Sequence, residues 1–274
     1  MDSLLMKTTV HTRIASVLAL FSIVAVSQSA VAQTAPDNKG QASTVVGFGA
    51  GYVPEYDGAQ KRRAIPVLFG EYRNGEGFFV SSMRGIGMEK QAGEFGVSAA
   101  LSYRGGRKDQ RSNSSLFGSD DLKGMGDIPG SAVANLEVST LLAGQVKLYA
   151  GANLALSNRD NGNSFKFGVS RLIFQTSADQ VGLDFSAEYA DRKFNQTYFG
   201  VTAQQSQNSG YRAYSPKAGL NQMSASIAWN HVIDSRWSVR TMAGVTQLTG
   251  DAANSPIVKN KVNPMLISTV NYRF

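Results

Sequence analysis

The chain has no cysteine, only two histidines and only two tryptophans in 274 residues. A small fold held together by disulfides is therefore excluded. Long apolar runs are also missing, because after residue 32 no stretch is long enough to cross a bilayer as a helix. Beyond that point the chain could enter a membrane only as a closed β-barrel, since helices and closed barrels alone satisfy every backbone group in lipid.

The start of the chain has the pattern of a secretory signal peptide. Lys7 and Arg13 precede a mostly apolar run over residues 14–26, and the small residues Ala30 and Ala32 follow it. This pattern predicts cleavage between Ala32 and Gln33 after export through the Sec pathway. We therefore expect a signal peptide at residues 1–32, a periplasmic segment at 33–43 and one domain at 44–274.

Most of that domain alternates between apolar and polar residues. In 95–103, 146–156 and 181–189 one set of alternate positions is apolar, which is typical of β-strands. The segments are about ten residues long, the length of a tilted membrane strand. Their other face is rich in Gly and Ser and carries charges of both signs: Glu137, Lys147, Lys166, Asp184, Glu188 and Arg240. A polar lumen with a lipid-facing apolar exterior explains this better than a soluble β-sandwich does.

The pattern predicts an all-β, transmembrane antiparallel barrel. It shows eleven strands, near 44–52, 64–72, 78–88, 94–103, 131–142, 145–156, 164–174, 180–190, 221–231, 237–248 and 264–274. A bacterial barrel needs an even number, so we predict twelve strands, with ten as the fallback. The missing strand is expected within 53–93, where Pro66 and Gly85–Gly87 interrupt the alternation. Long polar loops at 104–130, 191–219 and 249–262 are predicted to be extracellular, and short turns such as 143–145 and 233–236 periplasmic.

The last segment ends in an aromatic residue. Leu266, Val270, Tyr272 and Phe274 share one face of the final strand. This arrangement resembles the carboxy-terminal signal by which the barrel assembly machinery recognises its substrates. We expect these four residues to form that signal.

Candidate catalytic groups are few. His231 is the one histidine left after the predicted cleavage, and its register with Trp229 places it on the lipid-facing side beside the 233–236 turn. An aromatic interface belt explains it better than a Ser–His hydrolase. Asp184 and Glu188 share the inward face, where an ion network is a better explanation than a catalytic dyad. We expect no catalytic residue and no enzyme activity.

Other chemical motifs are weak. Asp120, Asp121 and Asp127 lack metal-ligand spacing, so calcium binding has little support and we predict no metal or cofactor. The glycines at 47, 49 and 51 lie in a strand and are expected to face the lumen, not to cradle a phosphate. The cluster Arg104, Arg107, Lys108 and Arg111 could contact lipopolysaccharide phosphates, or could be ordinary solvated loop charge. Nucleic acid is not an expected partner despite the basic pI of about 9.6.

Four ordered motifs then identify a family. Residues 52–58 (YVPEYDG), 124–128 (GMGDI), 198–202 (YFGVT) and 250–258 (GDAANSPIV) resemble the MipA/OmpV family of MltA-interacting outer-membrane proteins. The resemblance runs from about residue 44 to the end of the chain. Asn254 stands where the family pattern has Asp, which puts a charge-dependent role of that loop in doubt.

The resemblance implies an outer-membrane barrel. Its best-described relative is thought to scaffold a murein-degrading transglycosylase and a murein synthase, and other members are described as porin-like proteins, adhesins or antigens. We therefore expect a structural scaffold linked to peptidoglycan enzymes. The alternatives are a narrow channel for small solutes and a surface adhesin. Expected partners are outer-membrane lipid, lipopolysaccharide and the barrel assembly machinery.

Overall fold

The computed structural model describes residues 42–111 and 118–274. These residues hold twelve antiparallel strands closed into one barrel, in which the first strand pairs with the last. The strands are β1 Ser43–Pro54, β2 Arg62–Arg73, β3 Phe78–Ser81, β4 Gly85–Ala92, β5 Phe95–Arg104, β6 Ser131–Leu142, β7 Val146–Ala155, β8 Ser164–Gln175, β9 Asp179–Ala190, β10 Gly219–Val232, β11 Trp237–Leu248 and β12 Val262–Arg273. The all-β fold and the strand number are confirmed. The predicted cleavage site at Ala32 and Gln33 lies outside the described residues.

The twelfth strand comes from the region where alternation is weakest. The segment predicted as one strand at 78–88 is a hairpin, with β3 only four residues long and a turn at 82–84 before β4. The Ser81 hydroxyl accepts hydrogen bonds from the backbone N–H groups of Met83 and Arg84, both at 3.3 Å. Gly85 then has φ +89°, a left-handed conformation that favours glycine. A four-residue strand is too short to show a period of two.

The exterior of the barrel is a band of apolar side chains. Alternate side chains of nearly every strand are large, apolar and exposed, among them Phe48, Leu68, Leu101, Phe167, Phe185 and Leu266. At one rim the rings of Trp237 and Tyr272 lie 4.9 Å apart, and those of Tyr272 and Phe274 are equally close. An apolar band ending in an aromatic girdle is the surface of a barrel embedded in a bilayer.

The two ends of the barrel differ. At one end the strands join through the short turns 74–77, 93–94, 143–145, 176–178 and 233–236; we call it the turn end. The other, the loop end, has connections at 55–61, 105–130, 156–163, 191–218 and 249–261. Short turns face the periplasm and long loops the exterior in such barrels. The chain therefore enters β1 and leaves β12 at the periplasmic end.

Three short α-helices lie in the described parts of the long loops, where the sequence predicted only irregular structure. They are α1 Arg192–Phe199, α2 Ala203–Ser209 and α3 Gly250–Ala253. The Asp191 side chain caps α1 by accepting from the N–H of Phe194, and Thr202 and Gln205 form a capping box on α2. In the described part of the chain, no helix is both long and apolar enough to span a bilayer.

Candidate functional site

The loops at the loop end pack into a cap over the barrel mouth. One buried apolar cluster draws from four loops: Tyr56, Ala59, Leu122, Met125, Val201 and Ile257. A second joins the top of β11 to two loops: Phe199, Leu248, Ala252 and Ala253. Since residues from separate loops bury one another, the described loops form a folded layer, which we call the cap.

A buried carboxylate links the first two loops of the cap. The Glu55 carboxylate is 4% exposed and accepts hydrogen bonds from the Ser119 hydroxyl, at 2.7 Å, and from the Arg111 guanidinium. The Arg63 guanidinium at the top of β2 lies 3.6 Å away. Burial acts to raise the pKa of Glu55, but the Ser119 and Arg111 hydrogen bonds with the two cationic charges outweigh it and lower the pKa. Glu55 is therefore held as an anion.

Tyrosine hydroxyls fasten the cap further. The Tyr56 hydroxyl donates to the Ile257 carbonyl at 2.9 Å, and burial raises the Tyr56 pKa. The Tyr211 hydroxyl donates to the Asp121 carbonyl at 2.7 Å, and the Tyr214 hydroxyl to the Asp251 carbonyl at 2.8 Å. Each bond joins loops that are distant in sequence, so the cap closes as one unit.

Two charged groups of the cap loops interact with each other. Burial raises the Asp57 pKa, and the charge of Arg107 opposes this effect. Burial likewise lowers the Arg107 pKa, while that guanidinium donates to the Tyr198 carbonyl at 2.8 Å. The charges of Asp57 and Lys166 also act on Glu188, near the loop end of β9.

The half of the lumen nearer the turn end is lined by side chains that bind one another. The Tyr149 ring lies over Gly168, where an added Cβ would fall 2.2 Å from the ring, and its hydroxyl donates to the Asp184 carboxylate at 3.0 Å. Ion pairs complete this half: Arg73–Glu71 at 2.5 Å, Arg73–Glu89 at 2.9 Å, Arg84–Glu89 at 2.5 Å and Lys147–Glu137 at 3.0 Å. These contacts join residues of the same strand or of nearby segments, so the charged inward side chains of this half are paired with one another.

The four predicted lipopolysaccharide contacts separate in the structure. The Arg104 guanidinium turns inward to Asn153 and to the carbonyls of Asn161 and Gly162, at 2.9 and 3.0 Å. Arg107 is engaged with the Tyr198 carbonyl. Lys108 and Arg111 keep exposed side chains, each paired with one acid, Asp127 and Glu55 respectively. Lipopolysaccharide contact stays a prediction, and the geometry leaves Lys108 and Arg111 as the accessible pair.

The other candidate residues have structural partners. His231 Nδ1 lies 2.8 Å from Asp179 Oδ1, and Trp229 Nε1 donates to the same oxygen at 2.9 Å, at the turn-end rim. Sequence reasoning missed Asp179, although its position opening β9 opposite the end of β10 was the available signal. Asp121 pairs with Lys61 at 2.6 Å. Over residues 42–111 and 118–274 no group of three or more His, Asp or Glu could hold a metal ion.

The end of the chain completes the barrel seam. The Phe274 N–H donates to the Thr44 carbonyl at 3.0 Å, and the Phe274 side chain is 76% exposed. Leu266, Val270 and Tyr272 lie on the same outward face, and the register places Tyr272 opposite Val46. The four residues predicted as the assembly signal thus form one continuous outer surface on β12 and the residue after it.

Known proteins resemble this chain at two levels. The family model described as MltA-interacting protein MipA matches residues 46–274. Proteins named MltA-interacting protein from Escherichia coli K12 and Shigella flexneri are each 26% identical over 128 residues, covering 46% of this chain and 51% of theirs. The match thus spans about half the length of these relatives.

Outer-membrane barrels are among the solved structures that this chain resembles. The KdgM porin has a TM-score of 0.42 and 9% identity, covering 84% of this chain and 99% of its own. The COG4313 outer membrane channel from Pseudomonas putida F1 has a TM-score of 0.40 and 12% identity, covering 88% and 100%. The likeness to both is one of fold alone.

Proposed function

Because the chain belongs to the MltA-interacting protein MipA family and is an outer-membrane β-barrel, we propose that it is a scaffold that holds a murein transglycosylase at the inner surface of the outer membrane. The family relatives are named for an interaction with MltA. A murein synthase would be a second partner on the same scaffold. We propose no catalytic role, and replacing His231 with Ala should change no hydrolytic activity of the purified barrel.

One observation carries this proposal: the loops at one end and the inward side chains near the other end are bound to one another. The cap covers the loop end with its own apolar clusters, and the inward charged side chains near the turn end form ion pairs. A barrel whose inward side chains bind one another is suited to binding partner proteins at its outer surfaces. The periplasmic surface is the one that a murein enzyme can reach.

The 233–236 turn is the best candidate contact on that surface. Asp234 Oδ1 accepts the backbone N–H groups of Arg236 and Trp237 at 2.7 and 2.8 Å, which lowers the Asp234 pKa and fixes the turn. The Arg236 guanidinium donates to the Tyr272 hydroxyl at 3.1 Å. Ile233 is 58% exposed in this rigid frame, so it offers an apolar anchor at low entropic cost.

Crosslinking in cells followed by purification of the barrel tests the scaffold. We expect the wild type to capture a murein transglycosylase and Ile233→Asp to lower the yield about tenfold, as loss of an anchor residue does. Ser177→Asp, on the exposed 176–178 turn, is the matched control and should leave the yield unchanged. If the wild type captures no murein enzyme, the scaffold role is wrong; an equal loss in both variants would reject this turn as the contact.

A narrow channel is the second candidate, because the strands turn polar and charged side chains toward the lumen, among them Tyr149, Asp184, Glu137 and Lys147. Small solutes could cross only if the cap or the ion pairs at the turn end rearranged. Refolded protein in a planar bilayer separates the two functions. Steady, resolvable openings would contradict a purely structural barrel, whereas silence at all voltages would reject the channel.

Two surface contacts are proposed alongside the scaffold. Lys108 and Arg111 would bind lipopolysaccharide phosphates, and replacing both with Gln should weaken binding of the refolded barrel to lipopolysaccharide vesicles; unchanged binding would discard this contact.

The barrel assembly machinery would recognise the outward face of β12 and the residue after it, formed by Leu266, Val270, Tyr272 and Phe274. Phe274→Ala should then lower the amount of folded barrel in the outer membrane, while refolding in detergent stays normal.

A further inference from the structure

We propose that the barrel wall has a lateral aperture beside β2, through which an acyl chain of an outer-leaflet lipid reaches an apolar patch of the lumen. Residues 62–69 of β2, the turn 82–84 and residues 102–104 of β5 bound this aperture. The inference is independent of the scaffold role, because it concerns the wall and not the periplasmic surface.

The aperture follows from the strand pairing. β2 pairs with β1 along its whole length, from Arg73 to Arg62. On its other side β2 pairs with β3 only over Glu71–Arg73, because the β3–β4 hairpin turns back at 82–84. β4 in turn pairs with β5 only as far as Leu101. Among the described residues no strand adjoins 62–69 on this side, an edge of about 26 Å at the rise of an antiparallel strand.

The backbone of β2 is adapted to this open edge. The Gly70 carbonyl accepts from the Ser82 N–H at 2.8 Å, and the Gly70 N–H donates to the Ser82 hydroxyl at 3.0 Å. Backbone groups of alternate residues point to the same side of a strand, so those of Leu68, Pro66 and Ala64 face the aperture. Proline has no N–H to leave unpaired, and within sheets it is confined to such edges. Pro66 therefore removes one donor at the place where lipid could not satisfy it.

Both faces of the wall beside the aperture are apolar. Outside, Leu68 on one side and Leu101 on the other are 50% and 62% exposed. Inside, Ile65, Val67 and Ile267 converge over Gly51, where an added Cβ would meet them at 3.3, 3.5 and 3.3 Å. Met265 and Ile267 extend this patch against buried Ala228 and Met242. Across the aperture, by contrast, the inward residues Gly87, Ala100 and Ser102 are small, and the larger inward side chains of β4 and β5, Glu89 and Arg104, are bound to polar partners.

These observations select the occupant. The aperture lies in the loop-end half of a wall whose exterior is hydrocarbon, so only molecules dissolved in the outer leaflet can reach it. An apolar patch facing a polar lumen gains free energy when an acyl chain covers it. A charged solute would find no partner among Ile65, Val67 and Ile267. The chemistry therefore favours the alkyl chain of a lipid over a polar solute.

Tryptophan fluorescence in vesicles tests the aperture. In a Trp229→Phe, Trp237→Phe background, single tryptophans replace inward Val67, outward Leu68 or inward Ser186, which lies at a similar depth in fully paired β9. The quencher is a phosphatidylcholine brominated on its acyl chains. We expect Val67→Trp to be quenched nearly as strongly as Leu68→Trp and at least twofold more than Ser186→Trp, which controls for quenching through an intact wall.

Quenching of Val67→Trp equal to that of Ser186→Trp would overturn the proposal. A second copy of the chain or an added peptide strand on the β2 edge would give this result, since either would seal the wall. Should the tryptophan variants fail to fold, Val67→Cys with a nitroxide label is a smaller change in a chain that has no cysteine. Collisions with oxygen should then exceed those with a water-soluble nickel complex, as for Leu68→Cys and unlike Ser186→Cys; the reverse order at Val67 would equally reject the aperture.

Discussion

The barrel wall is complete on one side and interrupted on the other. β9 pairs with β10 from Asp179 to Ala190 and with β8 from Gln180 to Ala190. β2 pairs with β1 over all its residues but with β3 over only Glu71–Arg73. Both strands carry apolar side chains outward, so the apolar band alone does not distinguish them.

The two strands differ in whether their backbone N–H and C=O groups are paired on both sides. In lipid an unpaired N–H costs several kcal/mol, so a strand paired on both sides can use any residue that suits its two faces. A strand with one open edge gains from residues that expose few donors, and Pro66 is such a residue. Pro66 inside β2 is therefore consistent with an incomplete wall beside that strand.

Proline scanning along β2 should produce the largest contrast. The Phe69 backbone faces β1, so Phe69→Pro removes a ladder hydrogen bond and should cost about 3 kcal/mol or more in the free energy of unfolding. The Leu68 backbone faces the aperture, so Leu68→Pro should cost less than about 1 kcal/mol, within the range of mild substitutions. Denaturant unfolding of the barrel in vesicles measures both.

The same substitution in a complete part of the wall serves as the control. The backbone groups of Phe185 and Ser186 in β9 face opposite neighbouring strands, so Phe185→Pro and Ser186→Pro should both be severe. Equal costs for Leu68→Pro and Phe69→Pro would mean that another segment pairs with the β2 edge, and the contrast between the two sides would disappear.

Glycine replacement offers a second contrast of intermediate size. An added Cβ on Gly49, at the β1–β12 seam, would lie 1.9 Å from the Ser268 carbonyl oxygen, whereas one on Gly70 would meet nothing within 4 Å. Gly49→Ala should therefore lower the free energy of unfolding by about 2 kcal/mol through overpacking. Gly70→Ala should be neutral or slightly stabilising, because it restricts the unfolded chain. A larger loss of unfolding free energy for Gly70→Ala than for Gly49→Ala would show that the wall is packed more tightly at Gly70 than at Gly49.

Sequence alone predicted most of the barrel because lipid imposes its pattern on each strand separately. The bounds of β6 and β11 match the predicted segments, and the missing strand was expected in the right region. The β3–β4 hairpin was not resolved, since four residues give too few alternations. The helices α1 and α2 were also missed, because their capping residues Asp191 and Thr202 resemble ordinary loop residues until their hydrogen bonds are seen.

The candidate site was harder to predict than the wall. The cap depends on contacts between distant loops, such as the Tyr56 hydroxyl with the Ile257 carbonyl, and no local pattern encodes them. Likewise, Arg104 and Lys108 belong to one basic cluster in sequence, but the first points inward to Asn153 and the second outward. The sequence shows which residues are charged, whereas the direction in which their side chains point is seen only in the fold.

A smaller effect, on hydrogen exchange, is expected where the cap meets the side of the barrel that contains β2. Glu55 ties the 55–61 loop to Arg63 at the top of β2 and to Ser119 and Arg111 of the next loop. Loss of a hydrogen bond to a buried charge costs about 1.5 kcal/mol, or about a tenfold rise in opening. Glu55→Gln should therefore raise hydrogen exchange in 55–61 about tenfold, while α1 on the complete side stays unchanged.

The lowered pKa of Glu55 determines in which direction hydrogen exchange in 55–61 changes with pH. Because the folded-state pKa of Glu55 is lowered, its stabilisation is fully present above the ordinary glutamate pKa and is lost as the pH falls through the lowered value. Exchange in 55–61, corrected for the intrinsic rate, should rise over that interval in the wild type, and this rise should be absent in Glu55→Gln. Asp57, whose pKa burial raises, acts in the opposite direction, so Asp57→Asn is the matched variant that should steepen the rise. An identical profile in all three proteins would mean that the rim over the open side is held by the apolar clusters alone.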